Sequence, residues 1–392
     1  MTASTTTGVT RVELRRDAGR IGPQLGPWIR RRQIARFLGA PDPHLLAQVV
    51  DHRGEALGWG LVSAVSNITV RMLSFGEARP AEDWLGQRLS AAFAARDSFG
   101  FAAADTTGYR LVNSEGDGIP GLVIDRYGAA LVVQLGSAPI AAREAEIAAW
   151  LATQWSGPLH FVVPEAAARY EGIEATLRDG SGGTLTFTED GLRFEVPAPP
   201  AQKTGAYFDQ RDNRRRVAAL ASAHGGAMLD LGCHVGGFAL HAARLGLDVV
   251  ALDRSKTALE HGRRNAAANG LDQITWVEAD MFTPLRDPAL VGPFGTIVFD
   301  PPKLTSRRDD LEQAVDTTAR VVRELARRLA PRGHLVLCSC SHHLGREHLD
   351  QALTRTGLAF TRTLALGAGP DHPVALGHRE GEYLRVNVYQ PR

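Results

Sequence analysis

Asp230-Leu231-Gly232-Cys233-His234-Val235-Gly236-Gly237-Phe238 is the stretch that decides the fold. It follows the apolar run AMLDLG, which reads as a buried strand, and it opens a helix predicted over 237–245. Glycines between a strand and a helix let the backbone approach a ligand where a Cβ would stand in the way. Outward from this loop, strands alternate with helices: DVVALD, a helix over 256–268, ITWVEAD, GTIVFD, a helix over 309–330 and HLVLCSC. That rhythm is a doubly wound, Rossmann-like α/β sheet. Upstream, Asp209 is placed to cap a helix running to about Ser222, and the C-terminal GEYLRVNVYQ reads as one more strand.

Ligands of such sheets bind outside the carboxyl ends of the strands. Asp230, Asp253 and Asp280 are predicted at three successive strand ends, facing one crevice. Asp253 lies 17 residues after Gly236, where a carboxylate can accept hydrogen bonds from ribose hydroxyls. Asp280 is placed near an adenine amino group. The glycine loop alone would suit a dinucleotide or a plain tight turn. A nicotinamide enzyme would be expected to show a fuller G-x-G-x-x-G than G-C-H-V-G-G. The ordered series, with Asp300-Pro301-Pro302-Lys303 at the fourth strand end, resembles the motifs of class I methyltransferases and implies S-adenosylmethionine as cofactor. Each Asp alone could equally cap a helix or sit solvated.

Pro301 and Pro302 stiffen the chain past the fourth strand and remove two donors, presenting carbonyls and the Asp300 carboxylate to an entering group. Cys338 and Cys340 share one face of HLVLCSC, and Cys340 is nearer the crevice. Carbon 5 of a pyrimidine is a poor nucleophile. A thiolate added at carbon 6 makes an enamine that can take a methyl group at carbon 5, so a cysteine there has a chemical purpose. Cys340 is the candidate nucleophile, and Asp300 the candidate partner for the ring nitrogen or exocyclic amine. A packed, inert thiol is the commoner fate of a single cysteine. Cys338-x-Cys340-x-His342-His343 matches no common zinc spacing, so no metal is expected.

The 392-residue chain is long enough for two or three domains. Residues 1–75 read as a small β-barrel-type module, with strands at 45–50 and 61–65 flanking a glycine-containing stretch at 51–60. Residues 76–196 read as an α+β middle domain, with helices over 81–98 and 139–155 and a closing hairpin that turns near Glu189–Gly191. VPAPPAQ (196–202) reads as a linker, and 197–392 as the catalytic domain. The formal net charge is +1, so the whole molecule makes no electrostatic case for nucleic acid. Residues 1–75, however, carry ten arginines against five acids, which suits a phosphate-facing module or a solvated arginine surface. Only three of the 44 basic residues are lysine: Lys203, Lys256 and Lys303. Three cysteines, no apolar leader in MTASTTTGVT and no membrane-length apolar run point to a reducing cytoplasm and no membrane.

Lys203-Thr204-Gly205-Ala206-Tyr207-Phe208-Asp209-Gln210-Arg211-Asp212-Asn213-Arg214 resembles the KTGYYLDQRDNR signature of the ribosomal RNA large-subunit methyltransferase I family. YRLVNSEGDGIPGLVIDRYG (109–128), Gly236-Gly237-Phe238, DPPK (300–303), Ser339-Cys340-Ser341 and Asp371-His372-Pro373-Val374 extend the match over about 10–390. The resemblance implies an N-terminal PUA-like RNA-binding domain, a middle α+β domain and a C-terminal S-adenosylmethionine-dependent domain. By it, Cys340 is the nucleophile of a cytosine-5 methyltransferase, and Tyr207, Gln210 and Arg211 lie beside the cofactor with Asp230, Gly232, Gly236, Gly237, Phe238, Asp253, Asp280 and Asp300. Pro301, Pro302 and Lys303 face the substrate base. Gly26-Pro27-Trp28-Ile29 is similar to the family's HPW(V/I) element, with Gly26 in place of His. The cofactor loop reads GCHVGGF rather than F/CxYTGGF, and DPPKL replaces DPPKF.

The expectation is therefore methylation of carbon 5 of a cytosine in large-subunit ribosomal RNA. Methylation of a base nitrogen, for instance on guanine, needs the Asp300 loop but no thiol. A non-catalytic RNA-binding factor on the same fold is the third reading. Whether the chain forms a homodimer is left open by the sequence.

Overall fold

The structure, a computed structural model, describes residues 10–178, 183–198, 206–305 and 307–392. The first residues, most of the expected linker and Lys203-Thr204-Gly205 of the signature stretch lie outside the described residues. The chain forms two compact units. The first takes in Met1–Phe101, Gly108–Gly183 and Asp371–Gly381; the second takes in Ala102–Thr107, Thr184–Pro370 and Glu382–Arg392.

Six strands open the first unit: β1 (Arg11–Leu14), β2 (Trp28–Arg30), β3 (Ile34–Leu38), β4 (Leu46–Val50), β5 (Ala56–Val62) and β6 (Ile68–Phe75). They form one sheet in the order β2-β6-β5-β4-β1-β3. Gly58 and Gly60, expected in the stretch between two strands, lie inside β5. Cβ atoms there would come within 2.1 Å of Ser74 O and 2.7 Å of Arg71 O, so the approach of β6 requires glycine in the strand. Helix α1 (Trp84–Asp97) leads to β7 (Gly108–Asn113), β8 (Leu122–Tyr127) and β9 (Ala130–Leu135). The helix expected over 139–155 is two helices, α2 (Ala138–Ala141) and α3 (Glu144–Gln154). The buried Arg143 side chain between them donates to the carbonyls of Pro43, His44 and Pro139. β10 (Leu159–Val163), α4 (Glu165–Glu171) and β11 (Thr176–Arg178) complete a second sheet, β11-β10-β9-β8-β7. The two sheets share a core: Trp59, Leu61 and Leu73 of the first pack in one cluster with Leu85, Leu89, Ile124, Val133 and Ile147. That shared burial is why the first two sequence segments behave as one unit.

The 371–381 segment belongs to this unit as well. The Asp371 carboxylate accepts from the Arg110 amide at 3.1 Å, Arg96 donates to the Asp371 carbonyl at 2.9 Å, and Asn113 donates to the Pro373 carbonyl at 2.9 Å. A Cβ at Gly116 would lie 1.8 Å from Pro373 O. The two signature stretches at 109–128 and 371–374 are thus halves of one clasp. Gly26 is explained in the same region: its φ is 89°, and a Cβ would meet Gly377 O at 2.9 Å, which leaves no room for the histidine usual there.

The second unit begins with the hairpin β12 (Gly183–Glu189) and β13 (Leu192–Ala198). Asp190 and Gly191 turn it with φ of 50° and 78°, the two positive values an Asp-Gly hairpin turn requires. The hairpin, expected in the middle domain, falls in the second unit, where the Glu195 amide donates to Asn265 Oδ1 at 2.7 Å. There follow α5 (Arg211–His224), β14 (Ala227–Leu231), α6 (Gly237–Arg244), β15 (Val249–Asp253), α7 (Lys256–Ala268), β16 (Ile274–Glu278), β17 (Phe294–Phe299), α8 (Leu311–Ala326), β18 (Leu329–Ser339), α9 (Arg346–Thr354), β19 (Phe360–Leu366) and β20 (Arg385–Pro391). The sheet order is β16-β15-β14-β17-β18-β20-β19. Its first five strands run parallel, and β20 inserts antiparallel between β18 and β19. The pairings Leu231–Leu252, Leu231–Phe299 and Phe299–Leu337 bring the carboxyl ends level. The strand order reverses at β14, so the crevice opens above its end. Among the described residues no helix is long and apolar enough to cross a membrane.

Candidate active site

A cleft of about 320 Å³ lies over the carboxyl ends of β14 to β18, a volume suited to a small-molecule site. Its floor is the loop after β14. Gly232 has φ of 84°, and a Cβ there would stand 2.3 Å from Asp300 O, so the first and fourth strand ends meet only across a glycine. Gly237 is the first residue of α6, and a Cβ on it would press Arg214 Nε at 2.5 Å. Gly236, φ 92°, takes the positive-φ cap before that helix against Trp276.

The structure brings most of the expected residues to this cleft: Tyr207, Gln210, Gly232, Gly237, Phe238, Asp253, Asp280, Asp300, Pro301, Pro302, Lys303 and Cys340 all line it. Asp253 Oδ2 accepts from the His234 amide at 3.0 Å and Oδ1 from the Ser255 amide at 2.8 Å, which fixes the carboxylate at the rim. Asp280 lies two residues past the end of β16 and accepts from the Phe282 amide at 2.8 Å. Asn213 donates to Gln210 Oε1 at 2.7 Å, and Gln210 Nε2 donates to Asp300 Oδ2 at 3.1 Å, so the 207–214 segment orients the Asp300 carboxylate.

Three expected cofactor contacts are not in the cleft wall: Asp230, Gly236 and Arg211. Gly236 is used for its backbone conformation. Arg211 is buried, its Nε 3.4 Å from Asp212 Oδ1. Asp230 precedes the last residue of β14, so its side chain points beneath the loop, where Oδ2 accepts from the Ala239 amide at 3.1 Å. Its Oδ1 has no hydrogen-bond partner among the described residues. Burial, together with the neighbouring Asp300 charge, pushes its carboxyl up to about 8. The folded protein therefore holds a proton there that the unfolded chain releases near pH 4. This stabilises the fold at low pH, and the contribution is lost as pH rises through the folded value. The Asp230→Asn variant removes this titration. Its melting temperature relative to wild type is expected to rise from pH 5 to pH 8; a difference independent of pH would refute the assignment.

Sequence reading missed the wall supplied by the hairpin. Phe187 and Phe194, stacked with ring centroids 5.2 Å apart, line the cleft. Glu189 lies on the same buried face of β12. Arg214 donates to both Glu189 oxygens at 2.9 and 2.7 Å and to the Tyr207 carbonyl at 2.7 Å. Tyr207 in turn meets the His234 ring edge-on at 5.2 Å. Burial lowers the His234 imidazole to about 4, so it is neutral at physiological pH. An acidic residue on an apolar strand face was the available signal that a buried cation lies opposite. Asp209, expected as a helix cap, is instead buried and accepts from the Tyr383 hydroxyl at 2.7 Å; Gln210 takes the cap position.

The three thiols divide sharply. Burial pushes Cys233 and Cys338 well above the usual thiol range, reinforced at Cys233 by Asp230 and Asp253 and at Cys338 by Asp300. Cys340 sits just past the end of β18, is partly exposed, and faces the cleft. Its loop is tied to the Asp300 loop by Ser341 Oγ, which donates to the Thr305 carbonyl at 2.7 Å, and is closed on itself by Ser339 Oγ, which donates to the Leu344 carbonyl at 3.1 Å.

Residues 143–375 match the family described as S-adenosylmethionine-dependent methyltransferase, and residues 12–75 match a PUA-like domain. A ribosomal RNA large subunit methyltransferase of Deinococcus radiodurans is 36% identical over 390 residues, covering 93% of each chain. Ribosomal RNA large subunit methyltransferase I of Photobacterium profundum is 34% identical over 383 residues, covering 92% of this chain and 94% of the relative. A solved structure described as a S-adenosylmethionine-dependent methyltransferase from Streptococcus mutans superposes with a TM-score of 0.79 at 18% identity, covering 97% of this chain and 99% of that one; this speaks to the fold. The donor side of the cleft, with its glycine floor and rim carboxylates, fits the same cofactor. The chain is a member of the S-adenosylmethionine-dependent ribosomal RNA large-subunit methyltransferase I family.

Proposed function

We propose that the protein methylates carbon 5 of a cytosine in large-subunit ribosomal RNA through a Cys340 thiolate. One observation carries the reading: of the two cysteines that line the cleft, Cys233 is buried, whereas Cys340 is partly exposed and shares the cleft with Asp300 and the Pro301-Pro302 turn. The names of the relatives support ribosomal RNA as the acceptor.

When bound, S-adenosylmethionine supplies an electrophilic methyl group. Tyr207, Asp253, Asp280 and the Gly232–Phe238 loop hold it on the donor side. Pro301 and Pro302 offer a flat, stiff edge for a planar base, and Asp300, oriented by Gln210, accepts from its exocyclic amine. Cys340 adds through sulfur to carbon 6, placing electron density at carbon 5. After carbon 5 is methylated its proton leaves to a base, the pair returns to the ring, and the carbon–sulfur bond breaks to restore the thiolate. The PUA-like module, with its arginine excess, would contact RNA phosphates.

Nucleoside mass spectrometry on ribosomal RNA from a strain lacking the gene tests the substrate. One 5-methylcytosine is expected to disappear from the large-subunit RNA and to return when the gene is restored. Loss of a methylated guanine instead would establish the nitrogen-methylating alternative.

A further inference from the structure

The Asp300 loop does not end at Lys303. Leu304 is half-buried and Thr305 buried, and then Arg307 and Arg308 emerge exposed. The turn is held in place: the Arg307 amide donates to Thr305 Oγ1 at 3.2 Å, and the Thr305 carbonyl accepts from Ser341 beside Cys340. Lys303 is itself exposed and lines the cleft. None of these three cations forms an ion pair among the described residues, although most buried arginines of the chain have acidic partners. The nearby acids, Asp309 and Asp310, sit at the start of α8, where a helix N-terminus favours negative charge.

Lys303 adds a compositional clue. Arginine fills 41 of the 44 basic positions, so this chain uses a guanidinium wherever a cation suffices. A lysine at the cleft wall marks a position suited to a compact ammonium rather than a planar fork.

We propose that Lys303, Arg307 and Arg308 form a phosphate grip at the acceptor mouth, holding the single-stranded RNA backbone that flanks an extruded target base. This rests on the reading that the substrate is RNA. Base chemistry inside a folded RNA requires the nucleotide to leave its stack, and the strand on either side must be held while it is out. Lys303 takes the phosphate nearest the target base, and the two arginines take its neighbours. The PUA-like module then selects the RNA, and this rim sets which nucleotide enters.

The test is the Arg307→Ala/Arg308→Ala double variant of the full chain, with in-vitro-transcribed large-subunit ribosomal RNA as probe and RNA affinity measured across salt. The substituted side chains are exposed, and donor affinity by calorimetry serves as the folding control. The RNA KM is expected to rise about tenfold, more than kcat falls. The slope of log affinity against log salt should flatten by about 1.4, two single-strand contacts at ~0.7 each. An unchanged RNA KM and salt slope with donor affinity intact would overturn the grip. Failure of the wild-type protein to bind RNA at any salt would instead overturn the underlying RNA reading. Binding without cytosine methylation would overturn only the carbon-5 reading and leave the grip to be judged by its slope.

Discussion

Cys340→Ala is expected to lower methyl transfer to RNA by roughly 10⁴-fold or more, the scale seen when a covalent nucleophile is removed, while donor affinity stays within about twofold. The first half follows from chemistry. Without addition at carbon 6, carbon 5 of cytosine has too little electron density to take a methyl group. The second half follows from geometry. Cys340 stands just past β18, whereas the Asp253 and Asp280 carboxylates are fixed by backbone amides of the loops after β14 and β16. Neither remaining thiol can substitute, because burial holds both Cys233 and Cys338 protonated. Cys338→Ala is the companion control and should retain most activity. Calorimetry with S-adenosylmethionine and a methyl-incorporation assay, run on the same preparations, check both halves. Calorimetry on the wild type also addresses the non-catalytic alternative, which predicts no donor binding.

Glu189→Ala is expected to have the largest effect on stability. Glu189 is fully buried and is the carboxylate that meets Arg214, itself only 7% exposed. Removing one partner of a buried ion pair strands the other and costs about 3–5 kcal/mol. At about 2–4 °C per kcal/mol for a unit of this size, the melting temperature should fall by roughly 10 °C. The damage should reach the cofactor. Arg214 also holds the Tyr207 carbonyl and packs on Gly237, so its loss of position loosens Tyr207 against His234. Thermal melts and donor titrations should therefore move together in this variant. Glu189→Gln keeps an acceptor for Arg214 and should recover part of both. A melting temperature within about 2 °C of wild type for Glu189→Ala would show that the hairpin does not depend on the pair.

The catalytic sheet and much of the cleft were legible in the sequence because they are built from local pattern. An apolar run, a glycine loop and an acid at a strand end repeat along the chain, and the alternation of strand and helix fixes which ends face one way. That logic placed Asp253, Asp300 and Cys340 at one cleft, where the structure has them. It failed at Asp230, where one residue of strand register turned the carboxylate under the loop instead of into the crevice. It failed at Arg211, because a signature segment shares one helix start while its side chains diverge around it: Gln210 and Arg214 reach the cleft, and Arg211 does not. Gly58 and Gly60 were read as lying between strands, since nothing local announces that a neighbouring strand will lie close enough to exclude a Cβ. The Glu189–Arg214 pair and the clasp between 109–118 and 371–374 were invisible for the same reason. Both are long-range contacts, and a sequence shows only their halves.

The most direct test of the central claim is covalent capture. RNA containing 5-fluorocytosine lacks the carbon-5 proton whose departure releases the enzyme, so a cysteine adduct formed during methylation cannot resolve. With S-adenosylmethionine present, a stable protein–RNA species is expected whose digest carries the methylated fluorocytidine on the peptide containing Cys340. Methylation of ordinary substrate RNA by the same preparation, with no adduct on Cys340, would contradict it.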